Sequence, residues 1–288
     1  MTWLTWLVMV LCLLALAAIG LHAYGARRWA DATQLLMSKL EAARVDDIAR
    51  PGRYDSRELV GLPAPVQRYF LAVLKEGQPV IRVATLDLAG TFNMSSVGEQ
   101  WRPFTSRQRV VTHRPGFVWD ARVAMMPGIP VCVVDSCIAG EGLLRAAVLG
   151  LFAVADVHGG GQIARGEFMR YFAESAWYPT ALLPSQGVRW EAVDDASAKA
   201  TIVDGPLSLT LLFRFNEAGL IASFLAEARA AMVGTKEVML PWEGRWSDYQ
   251  SRDGMLVPLA GEVAWIRPEG RKLYFMGTVK TLTYEYAP

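Results

Sequence analysis

Histidine and cysteine are scarce in this chain, and neither sign of charge prevails. Three histidines and three cysteines are spread over 288 residues. His22, His113 and His158 form no HExxH pattern, and no paired CxxC accompanies them, so the usual three- or four-ligand zinc site has no sequence support. The cysteines stand at positions 12, 132 and 137. Cys12 falls inside a hydrophobic run, which leaves at most one pair. Cys132 and Cys137 could meet only across a tight turn, because five residues of extended strand span roughly 16 Å and a disulfide needs Cα atoms within about 7 Å. Two buried free thiols are the expectation. Lysine and arginine total 29 against 28 acidic residues, so there is no global basic field to draw nucleic acid or anionic lipid.

Motifs for catalysis and cofactors are missing as well. Gly159-Gly160-Gly161 is not followed by Lys-Ser or Lys-Thr and fits no dinucleotide fingerprint, so it reads as a flexible connection. Ser136 or Cys137 with His113 or His158 as base would be a nucleophilic pair, but no G-x-S-x-G elbow or cysteine-protease signature surrounds them. Glu167, Arg170 and Glu174 have the spacing of a salt-bridge ladder on one helix face, and a solvated ladder is the default over a general-acid pair. No catalytic residue, metal or cofactor is assigned.

What the chain has in surplus is apolar sequence. Hydrophobic residues make up 52%, and the mean hydropathy is +0.22. From Met1 to Ala26 there is no Lys, Arg, Asp or Glu. As a helix, residues 3–21 would span roughly 28 Å, the thickness of a bilayer's hydrocarbon core. Trp3 and Trp6 at one end, with Tyr24 and Trp29 at the other, stand where interfacial aromatics belong. The rival reading is a signal peptide cleaved near Ala15-Leu16-Ala17, against which stands the absent basic leader. Arg27 and Arg28 follow the span and by the positive-inside rule place the domain in the cytoplasm, although two charges decide little. The expected division is an anchor over 1–25, a juxtamembrane helix and linker over 26–50, and a single β-rich domain over 51–288.

Beyond the anchor, Trp29, Ala32, Leu36, Leu40 and Ala43 continue a helical stripe, which Asp46-Asp47 and Pro51-Gly52 break. Asp55 and Glu58 have capping-box spacing, Pro65 suits a first turn, and Val66, Tyr69, Phe70, Val73 and Leu74 form an apolar face up to Gly77. After Pro79 the period changes to two. Strands are expected near 117–125, 130–138, 187–193, 197–203, 207–215, 219–229, 241–250, 255–267 and 271–286, with short turns that imply an antiparallel meander of about ten strands. A helical insertion over 162–183 interrupts them. The predicted fold is mainly antiparallel β within an α+β class: a curved, partly open barrel with an N-terminal amphipathic helix and a central helical insertion.

Ten tryptophans are unusual, and several of them lie on or beside these strands. Trp119, Phe168, Phe172, Trp177, Tyr178 and Trp190 are the candidate ligand-binding residues, because aromatics beside a cavity suit an acyl chain or other greasy ligand. The insertion is placed as a lid, with Phe168 and Phe172 inward and Glu167, Arg170 and Glu174 in water. Trp177 and Tyr178 either sit at its rim, with indole N–H and phenol O–H toward solvent or a ligand headgroup, or plug the core.

Two segments carry a resemblance. Leu62-Pro63-Ala64-Pro65-Val66-Gln67-Arg68-Tyr69-Phe70 and the stretch from Arg170 to Pro184, followed by Gly187-Val188-Arg189-Trp190-Glu191, resemble an uncharacterised bacterial family of single-span, membrane-anchored β-rich proteins. Trp101-Arg102-Pro103-Phe104 and Gly261-Glu262-Val263-Ala264-Trp265 extend it over most of the chain after about residue 60. That family implies membership and no activity. A weaker likeness, carried by strand order and turns such as Phe215-Asn216-Glu217-Ala218-Gly219, is to the lipoprotein-localisation (Lol) carriers and related periplasmic lipid binders; it implies a half-open barrel closed by helices and a periplasmic domain. The first functional expectation is a membrane protein that holds a lipid or other hydrophobic ligand in a half-barrel. The second is a non-catalytic scaffold docking an unknown membrane partner. The third is an enzyme using carboxylates such as Glu167 or Glu174.

Overall fold

The apolar run and the stripe after it form one uninterrupted helix, α1 (Trp3–Ala42). It belongs to a computed structural model that describes residues 3–44, 50–95, 98–234 and 236–287, so the expected break at Asp46-Asp47 lies outside the described residues. The helix changes character along its length. Residues 3–24 are exposed throughout, whereas Gly25, Trp29, Thr33 and Leu40 are buried against the domain.

The next segment departs from a single capped helix. Asp55 caps a short 3-10 turn, Ser56–Leu59, by accepting from the Arg57 amide. Glu58 does not reach back to Asp55; its Oε2 accepts from the Ser185 amide at 3.0 Å. The amphipathic helix α2 (Ala64–Val73) then starts at Pro65's turn and buries Val66, Tyr69, Phe70 and Val73, as its apolar spacing predicts.

Among the described residues thirteen strands follow instead of about ten. The first meander comprises β1 (Ile81–Asn93), β2 (Trp101–Val111), β3 (Gly116–Met126), β4 (Ile129–Ile138), β5 (Glu141–Val148) and β6 (Phe152–Gly159). The second comprises β7 (Arg189–Asp194), β8 (Ser197–Asp204), β9 (Leu207–Phe215), β10 (Ile221–Val233), β11 (Lys236–Arg252), β12 (Met255–Arg267) and β13 (Gly270–Tyr286). Their order, β6-β5-β4-β3-β2-β1-β13-β12-β11-β10-β9-β8-β7, is a single antiparallel sheet in which β1 and β13 join the two meanders. Four strands lacked a legible alternation: β1, β2, β5 and β6. β1 sends Val83 into the core beneath α1 and Ile81, Ala84, Leu86 and Leu88 into the other, with a register irregularity between Ile81 and Val83, and β2 carries Pro103 and three arginines, so period-two patterning is blurred in each.

The two edge strands, β6 and β7, are linked by the helical insertion: α3 (Gly161–Ala173) and three 3-10 turns ending at Gln186. Helix α3 touches β3–β6 on one side and β9 and β10 on the other, which requires the sheet to curl around it. Glycines permit that curl. Gly90, Gly277 and Gly261 face one another across β1, β13 and β12. A Cβ on Gly261 would stand 2.5 Å from the Trp246 ring, and one on Gly244 would stand 2.2 Å from that of Phe224.

The sheet buries both faces. The large core lies on the concave side with α2 and α3. A smaller one, Trp29 and Leu40 over Val83, Val111, Val118 and Val134, lies on the convex side beneath α1. Helix α1 leaves the domain at the β5–β6 turn, where Gly25 abuts Leu149 and Gly150.

Candidate functional site

Between α3 and the concave face lies a cavity of about 570 Å³, within the range of small-molecule sites. Its walls are mostly aromatic and aliphatic. Trp119 and Val123 come from β3, Trp242 and Trp246 from β11, and Trp265 from β12.

The polar part comes from α3. Glu167, Arg170 and Glu174 do share a face, but that face is not in water as expected: Glu167 is 3% exposed, and the side chains of Arg170 and Glu174 are 14% and 13% exposed. The sheet curls far enough to cover the polar stripe as well as the apolar one, and it supplies partners. Arg170 donates to Asp135 Oδ2 at 2.6 Å and to Glu174 Oε1 at 2.8 Å, while Gln108 donates to Glu174 Oε2 at 2.6 Å. The guanidinium also lies over the rings of Trp119 at 4.6 Å and Phe117 at 5.1 Å. Arg170 is thereby fixed by hydrogen bonds and ring faces together.

Glu167 is less well served. Its Oε1 lies 3.7 Å from Arg229 Nη2, beyond hydrogen-bond reach. Its Oε2 and the Oδ1 of Asp135 are buried without a partner among the described residues. Burial above all, and then the negative charge of Asp135, pushes the Glu167 carboxyl up to about 8, so it is mostly protonated at neutral pH. Arg229 reaches the cavity through a β-bulge. The register of β10 on β11 shifts between Ala226 and Arg229, and the extra residue turns Arg229 onto the face already occupied by Phe224 and Ala226. There it packs over Trp242 at 4.2 Å and Trp265 at 5.8 Å.

Of the six residues singled out from sequence, Trp119 and Trp177 line this cavity. The other four lie in the core outside its lining. Phe168 stacks on Tyr171, Phe172 meets Phe213 edge-on at 5.8 Å, and Trp190 donates to Leu182 O at 3.0 Å. Tyr178 is fully buried, its hydroxyl donating to Tyr171 O, so it is no rim residue. Trp177 is 2% exposed and packs on Trp246 at 4.9 Å, which rules out an indole turned to solvent. Asp135 and Arg229 had no signal in the sequence: one sits in an ordinary strand, and the other depends on a bulge.

Nucleophilic chemistry finds no support here. Cys137 is buried, and desolvation pushes its thiol up to about 12. His113 is held by Gln186 at 3.1 Å, and His158 stands exposed beside Asp156 at 3.3 Å. No group of three metal-ligating side chains comes together among the described residues.

Residues 60–284 match the model described as "Family of unknown function (DUF6920)". The chain belongs to that family. The match covers the stretch over which the sequence motifs carried their resemblance. No curated protein matches the chain. Among solved structures, a LolA superfamily protein from Nitrosomonas europaea is similar at 9% identity and a TM-score of 0.42, covering 79% of this chain and 96% of that one. A DUF1329 family protein from Desulfovibrio piger is similar at 11% identity and a TM-score of 0.40, covering 71% of this chain and 86% of that one. A β-barrel-like protein of the DUF1849 family from Brucella abortus, also 11% identical, has a TM-score of 0.21 and covers 72% and 98%.

Proposed function

We propose that this protein is a single-pass membrane protein whose curled sheet holds one hydrophobic or amphipathic ligand against α3. The cavity carries this reading: it is large enough for an acyl chain, lined mainly by apolar side chains, and bounded by an internal polar cluster. An enzyme reading is weaker, because Asp135 and Glu174 are engaged by Arg170, and Glu167 has no base or nucleophile within hydrogen-bond reach among the described residues.

The anchor supports the same reading. Helix α1 is long and apolar enough to cross a membrane, with a mean hydropathy of 2.6 over its best window and none of that window buried in the domain. At about 1.5 Å per residue, Gly25 stands only about 6 Å beyond Leu21, which brings the β5–β6 turn close to the lipid surface. The neighbouring turn of the same end exposes Met126, and Phe152 opens β6 beside it.

Native mass spectrometry of the full chain tests the cavity. The wild-type protein should retain one tightly held lipid mass after detergent removal in the gas phase. Ala231→Phe, which fills the cavity from β10, should lose it while keeping its circular dichroism. Equal retention by both proteins means that any bound lipid lies elsewhere and sinks the reading.

A further inference from the structure

Three arginines line the cavity, Arg170, Arg229 and Arg267, and the two that stand at α3 are treated differently. Arg170 is saturated by Asp135, Glu174 and two aromatic faces. Arg229 is equally enclosed, with 12% of its side chain exposed, yet its guanidinium makes no hydrogen bond among the described residues. Rings of Trp242 and Trp265 hold the guanidinium, but a ring face cannot saturate five in-plane N–H donors. The nearest carboxyl, Glu167, stands too far away to accept a hydrogen bond, and Asp135 acts on Arg229 through its charge without bonding to it.

Other unmet polar atoms belong to the same wall. Glu167 Oε2 and the indole N–H groups of Trp177 and Trp246 are buried and unpartnered, and all three residues line the cavity. Buried polar groups are almost always paired, and leaving one unpaired is costly. A run of them beside an unsaturated guanidinium is the lining expected of a site completed by a ligand's oxygen atoms.

We propose that Arg229 anchors the headgroup of the ligand, and that the ligand is an amphipathic anion whose chain fills the apolar remainder of the cavity and whose carboxylate or phosphate meets Arg229. This deepens the ligand-binding reading and rests on it. Arg170 holds Asp135 and Glu174 by hydrogen bonds and its single charge offsets one of theirs, while a protonated Glu167 offers an incoming oxyanion a donor rather than a further negative charge. The bulge in β10 acquires a purpose as well: without it, Arg229 would point away from the cavity.

The test uses the full chain and three probes in native mass spectrometry: palmitic acid, 1-palmitoyl lysophosphatidic acid and methyl palmitate. The unaltered protein should bind one or both anions at least about tenfold more tightly than the uncharged ester, the scale of one charge-assisted hydrogen bond. Which anion is preferred separates a carboxylate from a phosphate source. Arg229→Gln should lose that preference and keep its weak ester binding, while Arg229→Lys should restore part of it. Equal binding of acid and ester by the unaltered protein overturns the anchor without any variant and leaves the cavity reading standing. An unchanged preference in Arg229→Gln also overturns it. Failure of all three probes defeats the cavity reading itself, and the anchor with it.

Discussion

The indole of Trp29 donates to Asp120 Oδ1 at 2.8 Å, joining the helix that carries the apolar span to the third strand of the sheet. Arg122 holds the same carboxylate and lies over the same indole at 5.8 Å. With Leu40 packed farther along beside Gly116 in the core beneath the helix, the last four turns of α1 are part of the domain. Trp29→Ala should therefore destabilise the domain by about 3–5 kcal/mol, the range for a large buried aromatic. Trp29→Phe should cost less, losing the hydrogen bond but little packing. Chemical denaturation of the detergent-solubilised chain checks this, and an unchanged midpoint for Trp29→Ala would show that α1 is not docked.

Cys132 and Cys137 occupy one strand and opposite faces of it. Cys132 packs in the small core under α1, and Cys137 packs in the large core near α3. An odd separation on a pleated strand dictates this placement, and no disulfide can pass through the sheet. Both thiols are free and buried. Under native conditions neither should react with iodoacetamide, and both should react fully in denaturant without reductant. A two-unit mass deficit with blocked alkylation would refute this.

What the sequence conveyed and what it withheld follow from the range of each signal. The α2 stripe, the strands near 241–250, 255–267 and 271–286 with their short turns, and the helical insertion are local patterns, and each appears where it was expected. β1, irregular between Ile81 and Val83, and the polar β2 broke the alternation on which strand recognition depends. The site was harder still. Trp119 and Trp177 were legible as aromatics near a cavity, but Phe168 and Phe172 were drawn into the core by the curl of the sheet. That same curl covered the Glu167–Arg170–Glu174 stripe, which spacing alone reads as solvated. Arg229 required knowledge of a bulge, and a bulge is a property of two strands in register, not of one sequence segment.

Glu167 should make stability depend on pH. Its folded-state carboxyl is raised to about 8, well above the ordinary carboxylate range of about 4.3 that applies when the chain is unfolded. Between those values the unfolded chain has released this proton and the folded chain still holds it. Stability must therefore fall as pH rises from about 4.5 to about 8, with little further change from this group above that. Glu167→Gln cannot titrate and should remove this fall, so the stability difference between variant and wild type should grow in the variant's favour across the window. Parallel pH profiles in urea denaturation would show that Glu167 is ionised in the folded protein.

The direction in which the domain faces can be measured directly. Helix α1 leaves at the β5–β6 turn, and the exposed apolar side chains gathered at that end include Met126 and Phe152, whereas Val60 is exposed near α2 at the other end. If α1, which is long and apolar enough to cross a membrane, does so, apolar side chains this close to it gain free energy by entering the headgroup boundary, at about 25 cal/mol per Å² of apolar surface removed from water. An environment-sensitive NBD label on Met126→Cys or Phe152→Cys, in a Cys12→Ala background reconstituted into phosphatidylcholine vesicles with brominated chains, should be blue-shifted and quenched. The same label on Val60→Cys should be neither. Labelled Cys12 in the otherwise unaltered chain reports on the span itself. Quenching at Cys12 without quenching at 126 and 152 would mean that the helix crosses the bilayer but holds this end of the sheet clear of it. No quenching at Cys12 would remove the anchor, and with it the reason for the domain to face the membrane at all.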